Sequence, residues 1–167
     1  MTISSELKEQ SIYFLSLNPP RIEKCLLQLS EEEIWQKPNS NSNSIGNLIL
    51  HLCGNITQYI HASLGNEPDQ RERDLEFSTK GGYSKNELLE KITKVTDKAI
   101  YIIQNVSEED LVRKRQVQGF EYSGVGIIIH VTEHYSYHVG QISYWTKVLK
   151  DKDLGYYEDF DLNIINE

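Results

Sequence analysis

Residues 124–149, GVGIIIHVTEHYSYHVGQISYWTKVL, form the longest uninterrupted stretch in which apolar side chains recur at spacings of three and four. That period is helical, and strict alternation, the mark of a half-buried strand, is scarce throughout the chain. A helix this long needs neighbours of similar length to cover its apolar side. Three other segments have the period to supply them. The first, residues 4–29, is interrupted at Asn18-Pro19-Pro20. Proline is tolerated at a helix start but not inside one, so a break is expected there, with Asn18 capping a second piece, RIEKCLLQL. Ser30-Glu31-Glu32-Glu33 is a capping-box pattern for a short turn ending near Pro38.

The polar run PNSNSNS then reads as a loop, because its side chains offer the backbone turn-type hydrogen bonds. The second helix follows from Ser44 to Leu64. Residues 65–82 are charged, bounded by glycine and weakly periodic, a connection long enough to let the next helix begin far from the end of the last. Ser84-Lys85-Asn86-Glu87 is a further capping box that opens a third helix over residues 84–105. Residues 106–123 form a second connection, extended in part. The fold class is therefore all-α, a four-helix bundle with a long crossover between helices two and three. One domain over residues 1–167 is expected. Its acidic, aromatic tail, 151–167, either docks by its tyrosines or frays.

The 167 residues can bury a core without disulfide or metal staples. With 17 Lys+Arg against 25 Asp+Glu the formal net charge is −8, which a phosphate backbone repels, so a nucleic-acid partner is excluded. No apolar run approaches the roughly 20 residues of a membrane span, and the first residues lack a signal-peptide pattern. A cytoplasmic protein is expected. Cys25 and Cys53 form no CxxC pair and lie in apolar-periodic stretches, where a buried small hydrophobe is the common role.

Two of the five histidines, His134 and His138, lie four positions apart on the last helix. At about 100° and 1.5 Å per residue they project side by side, a spacing at which two imidazoles can share one metal ion. Equally, two polar residues can lie on one helix face without an ion. A third ligand would come from His51, His61 or His130. His51 sits within ILHLCGNI, a stretch so apolar that an unpaired ring there would be costly to bury. His61, near the helix end, reads as solvated. His130 is a full turn further from His138, and reads as a residue supporting the site or lining a core or pocket. Cys53 is about 200° around the helix from His51 and cannot share its site. Asn47 and Asn55 share the His51 face and Gln141 that of His138, placed to orient a ring nitrogen, contact a substrate or bond backbone. No carboxylate on these two helices shares the ligand face.

RIEKCLLQLSEEEIW, NSIGNLILHLCGNITQYI, RERDLEFSTKGGYSKNELL and HVTEHYSYHVGQISYWTK together resemble the DinB/YfiT-like superfamily of metalloenzymes, in particular a bacterial subfamily of unestablished function. The resemblance implies a bundle with the crossover described above, often a homodimer. It also implies a divalent ion, zinc or nickel, held by His51, His134 and His138. Many relatives have arginine where this chain has Val139, so an anion-binding arginine at that position is absent here. Three neutral ligands leave open coordination positions, as in catalytic sites. By resemblance the chemistry is transfer of a low-molecular-weight thiol such as bacillithiol or mycothiol to a small-molecule substrate. A metal-dependent hydrolase and a non-catalytic bundle acting in binding or stress response are the alternatives.

Overall fold

The structure is a computed structural model, and residues 2–165 are described. Helix α1 spans Ile3–Ser16 and is closed at its start by a Thr2–Ser5 capping box. Helix α2, Asn18–Gln28, begins after Leu17, so the break falls beside the proline pair as expected. Asn18 does not cap it. Leu17 is the residue before the helix and keeps helical backbone angles, while the Asn18 amide turns back and donates to the Phe14 carbonyl at 3.1 Å. The preceding turn runs almost straight into α2, which leaves Asn18 inside the helix rather than at the extended position a capping side chain needs.

Helix α3, Glu31–Trp35, carries the Ser30–Glu33 box, and α4, Ile45–Ile56, carries a box between Ser44 and Asn47. The expected α-helix to Leu64 changes character: Thr57–Leu64 continues α4 as a π-helix, with Gly65 N–H bonded to the Ile60 carbonyl at 2.8 Å. The wider turn alters which face each later residue presents. His61, expected in solvent, is instead 5 % exposed, with its Nε2 donating to the Val95 carbonyl at 3.0 Å. The crossover contains a short helix, α5, Arg73–Ser78. Helix α6, Lys85–Asn105, starts at the Ser84 box. The second connection holds α7, Glu108–Val112, and an antiparallel hairpin of β1, Lys114–Val117, and β2, Phe120–Ser123. Its turn, Gln118-Gly119, has positive φ at both residues, the geometry whose twist suits a two-residue hairpin. Helix α8, Gly124–Lys150, ends at Asp151 in the left-handed conformation.

Four layers therefore pack as a bundle: α1 with α2, α4 with its π extension, α6, and α8. Ile22, Ile49, Leu52, Ile92, Ile128 and Ile142 are among the side chains removed from solvent between them. Tyr135 of α8 is also fully buried, its hydroxyl 3.1 Å from Thr96 Oγ1 on α6. Both cysteines are buried and free, and burial pushes the Cys53 thiol up to about 12, so it stays protonated. The tail docks as far as its tyrosines. Leu154 is buried, Tyr156 places its hydroxyl 2.7 Å from Ser143 and 3.2 Å from Cys25, and Arg21 donates to Tyr157. Leu162, Ile164 and Ile165 are exposed, and residues 166–167 of the tail lie outside the described residues. No described helix is long and apolar enough to cross a membrane.

Candidate metal centre

Helices α4 and α8 pack against each other. On α4, the apolar run that carries Ile49 and Leu52 into the core also carries His51 inward, leaving its side chain 8 % exposed. Across from it, His134 and His138 lie on one face of α8, half-buried. The three rings converge. His51 Nε2 is 2.9 Å from His134 Nε2, the ring centroids of His51 and His138 are 4.9 Å apart, and one nitrogen of each ring lies within 4.8 Å of the others.

The acceptors around the cluster decide where the ring protons sit. Glu76 Oε2 lies 2.9 Å from His51 Nδ1, closer than the Arg71 Nη2 donor at 3.2 Å, and a carboxylate only accepts, so in the neutral ring Nδ1 carries the proton and Nε2 turns its lone pair toward α8. Gln141 Oε1 does the same for His138 Nδ1 at 2.7 Å. A carboxylate behind a histidine is how proteins fix the tautomer and aim of a metal-binding imidazole. Glu76 is itself held: Arg71 Nε donates to Oε1 at 2.7 Å and Arg71 Nη2 to Oε2 at 2.9 Å, both side chains being more than nine-tenths buried. Burial alone would raise the Glu76 carboxyl, but the bonds from Arg71 and His51 outweigh it and hold it below its ordinary value.

Burial drives His134 down to about 3, reinforced by His138 and His51, and it also lowers His138, where the bond to Gln141 opposes it. Neutral imidazoles are the form that binds an ion. The donor set fits a divalent cation: three imidazole nitrogens, one ring with a carboxylate behind it, and the nearby Arg71 charge already paired with Glu76. His51, His134 and His138 could hold it.

The other residues singled out by sequence go to different places. Asn47, fully buried, donates to the carbonyls of Glu76 and Thr79 at 2.9 and 2.7 Å, so it pins the crossover helix that presents Glu76. Asn55 is buried with Nδ2 3.5 Å from His130 Nε2, and its Oδ1 has no hydrogen-bond partner among the described residues. His130 stands outside the cluster, stacked on His134 at 5.3 Å and against Tyr59 at 4.4 Å. Val139 is buried in the core and brings no charge to the site. Glu76 and Arg71 are the residues sequence reasoning missed. They come from the weakly periodic crossover, where nothing separates Glu76 from the exposed Glu72 and Asp74.

A pH dependence follows for the metal-free protein. His61, His130, His134 and His138 all sit below the ordinary value of 6.5, chiefly through burial, so unfolding takes up protons in acid. Their contribution is whole above about pH 6.5 and is lost as pH falls below it, toward about 3 for His134; the depressed Glu76 adds to the loss below about 4.5. Urea midpoints of chelator-treated protein are expected to stay level from pH 7.5 to about 6.5 and to fall steadily from there to 4.5, and a profile flat throughout would contradict the burial of these rings.

The architecture is the DinB-like fold. The crystal structure of a DinB-like protein, YjoA, from Bacillus subtilis matches it with a TM-score of 0.64 over 84 % of this chain and 91 % of that one, at 16 % sequence identity. More narrowly, the chain belongs to the family described as protein of unknown function DUF1572, whose model matches residues 5–157. No curated protein matches it.

Proposed function

We propose that the protein is a divalent-metal-dependent transferase of low-molecular-weight thiols, with zinc or nickel held by His51, His134 and His138. The observation that carries this reading is the convergence of three imidazoles with Glu76 fixed behind one of them. A bound divalent ion would supply Lewis acidity, lowering the pKa of a thiol well below its free value of about 8.5. The chain's own residues do the rest. Glu76 aims His51, Arg71 holds Glu76 ionised, and Gln141 aims His138. Both Glu76 oxygens are engaged, so it is not free to act as a general base. That favours a thiol, which needs no such base, over water in a hydrolase. The same reading carries the expectation of a cytoplasmic homodimer acting on a small molecule.

One observation favours the non-catalytic alternative: His134 Nε2–H can donate to His51 Nε2 at 2.9 Å, which satisfies both rings without an ion. A thiol panel with a chloro-dinitroarene separates the two. In that reaction a C–S bond forms, the C–Cl bond breaks, chloride leaves and the thiol proton passes to buffer. Turnover above the uncatalysed rate is expected for metal-loaded protein with at least one thiol, and not for chelated protein or His134→Ala. Equal rates with and without metal, across the panel, would favour the non-catalytic bundle.

A further inference from the structure

Next to His138, the Asn/Ser loop and the outer face of α8 border an open groove of about 720 Å³, within the range of small-molecule sites. It joins the candidate metal centre through Gln141, which lines the groove and accepts from His138 Nδ1, and through Tyr137, whose ring lies 5.0 Å from that of His138. Its walls are aromatic: Tyr137, Tyr144 and Trp145, the last tethered by a bond from its indole N–H to the Gln36 carbonyl at 3.4 Å. Asn41, Ser42 and Asn43 offer neutral hydrogen-bonding groups along the opposite side. None of the residues lining it is Asp, Glu, Lys, Arg or His, in a chain of which these charged types, histidine aside, make up 25 %. A charged ligand would therefore enter without a counter-charge.

Gly140 gives an independent sign. It lies inside α8, where glycine is the poorest helix former after proline, and no left-handed angle requires it. A Cβ built there would meet nothing within 4 Å, so close packing does not require it either. It lines the groove, and its missing side chain leaves the groove open.

We propose that this groove binds the uncharged aromatic part of the second substrate of the three-histidine site. The assignment as a substrate groove rests on the catalytic reading above, whereas its ability to bind such a molecule does not. The test is a fluorescence titration of the full chain with N-phenyl-1-naphthylamine, and with the same ring system bearing a sulfonate, 8-anilinonaphthalene-1-sulfonate. Saturable binding of the neutral probe at one per chain is expected, at least about tenfold tighter than the sulfonate. Gly140→Phe should weaken the neutral probe about tenfold or more by filling the groove, and Gly140→Leu, a better helix former, should do the same. Gly140→Ala should melt higher than the parent while binding within about twofold, because one methyl leaves most of the space. His134→Ala should also bind the probe within about twofold, since His134 does not line the groove.

Equal binding of the two probes, or binding indifferent to both bulky variants, would overturn the proposal. So would a parent protein that sediments as a dimer, with Gly140→Phe monomeric and neither form binding probe, because the groove would then be a subunit interface. Metal content, measured on the same samples, reports separately on the metal centre: probe binding without metal sinks the catalytic reading and the substrate assignment with it but leaves the groove as a binding site, and metal without probe binding sinks the groove alone.

Discussion

Glu76→Ala is expected to destabilise the protein by about 3–5 kcal/mol, the range for breaking a buried ion pair from one side. The reason is what it leaves behind. Arg71, with its side chain 3 % exposed, would keep its bond to Gln58 but lose its carboxylate counter-charge, and His51 Nδ1–H would lose its acceptor. At about 2–4 °C per kcal/mol for a chain of this size, the melting temperature should drop by roughly 6–20 °C. Glu76→Gln retains the volume and one acceptor, so it should lose less stability than alanine, while still loosening the aim of His51. Thermal and urea unfolding of the two variants check this. A loss under about 1 kcal/mol for the alanine variant would mean that the Arg71–Glu76–His51 chain does not organise the crossover.

The second large effect is expected at a residue that touches no ion. Gly54→Ala, in the last turn of α4, would ordinarily stabilise a helix by about 1 kcal/mol. Here a Cβ would fall 1.9 Å from Glu76 Oε1 and 3.0 Å from Arg71 Nε. A free glutamate would swing away at little cost, but this one is pinned by Arg71 on one side and His51 on the other. The carboxylate must move, and His51 loses its orientation. Metal affinity is expected to fall about 10–100-fold, as for other losses of an orienting carboxylate, and stability to fall rather than rise. Competition with a chromophoric chelator measures the first and thermal unfolding the second. A more stable variant with unchanged affinity would show that the close approach of Gly54 and Glu76 is incidental.

Much of this arrangement is legible in the residues because it depends on local chemistry. Ser30 and Ser84, each followed three positions later by Glu, mark two helix starts through bonds made within one turn. The apolar period of α8 and the run around His51 identify the helices that bring the three rings together. What escapes is what long-range packing decides. Asn18 looks like a cap because of the prolines after it, but the chain stays helical through Leu17. His61 looks solvated because it lies in a more polar stretch near the helix end, and the π-helical turn, which has no local sequence signature, buries it. Glu76 is one of several acids in a charged connection. Only the docking of α5 on α4, held by Asn47, selects it, and with it the carboxylate that the two ligand helices do not supply.

We infer that His51, His134 and His138 together hold one divalent ion, which is checked by elemental analysis of protein purified without chelator, equilibrated with zinc or nickel and freed of unbound ion. About one ion per chain is expected for the parent and for the His61→Ala and His130→Ala controls, with little retained by His51→Ala, His134→Ala or His138→Ala. Equal metal content in the parent and in His134→Ala would contradict it.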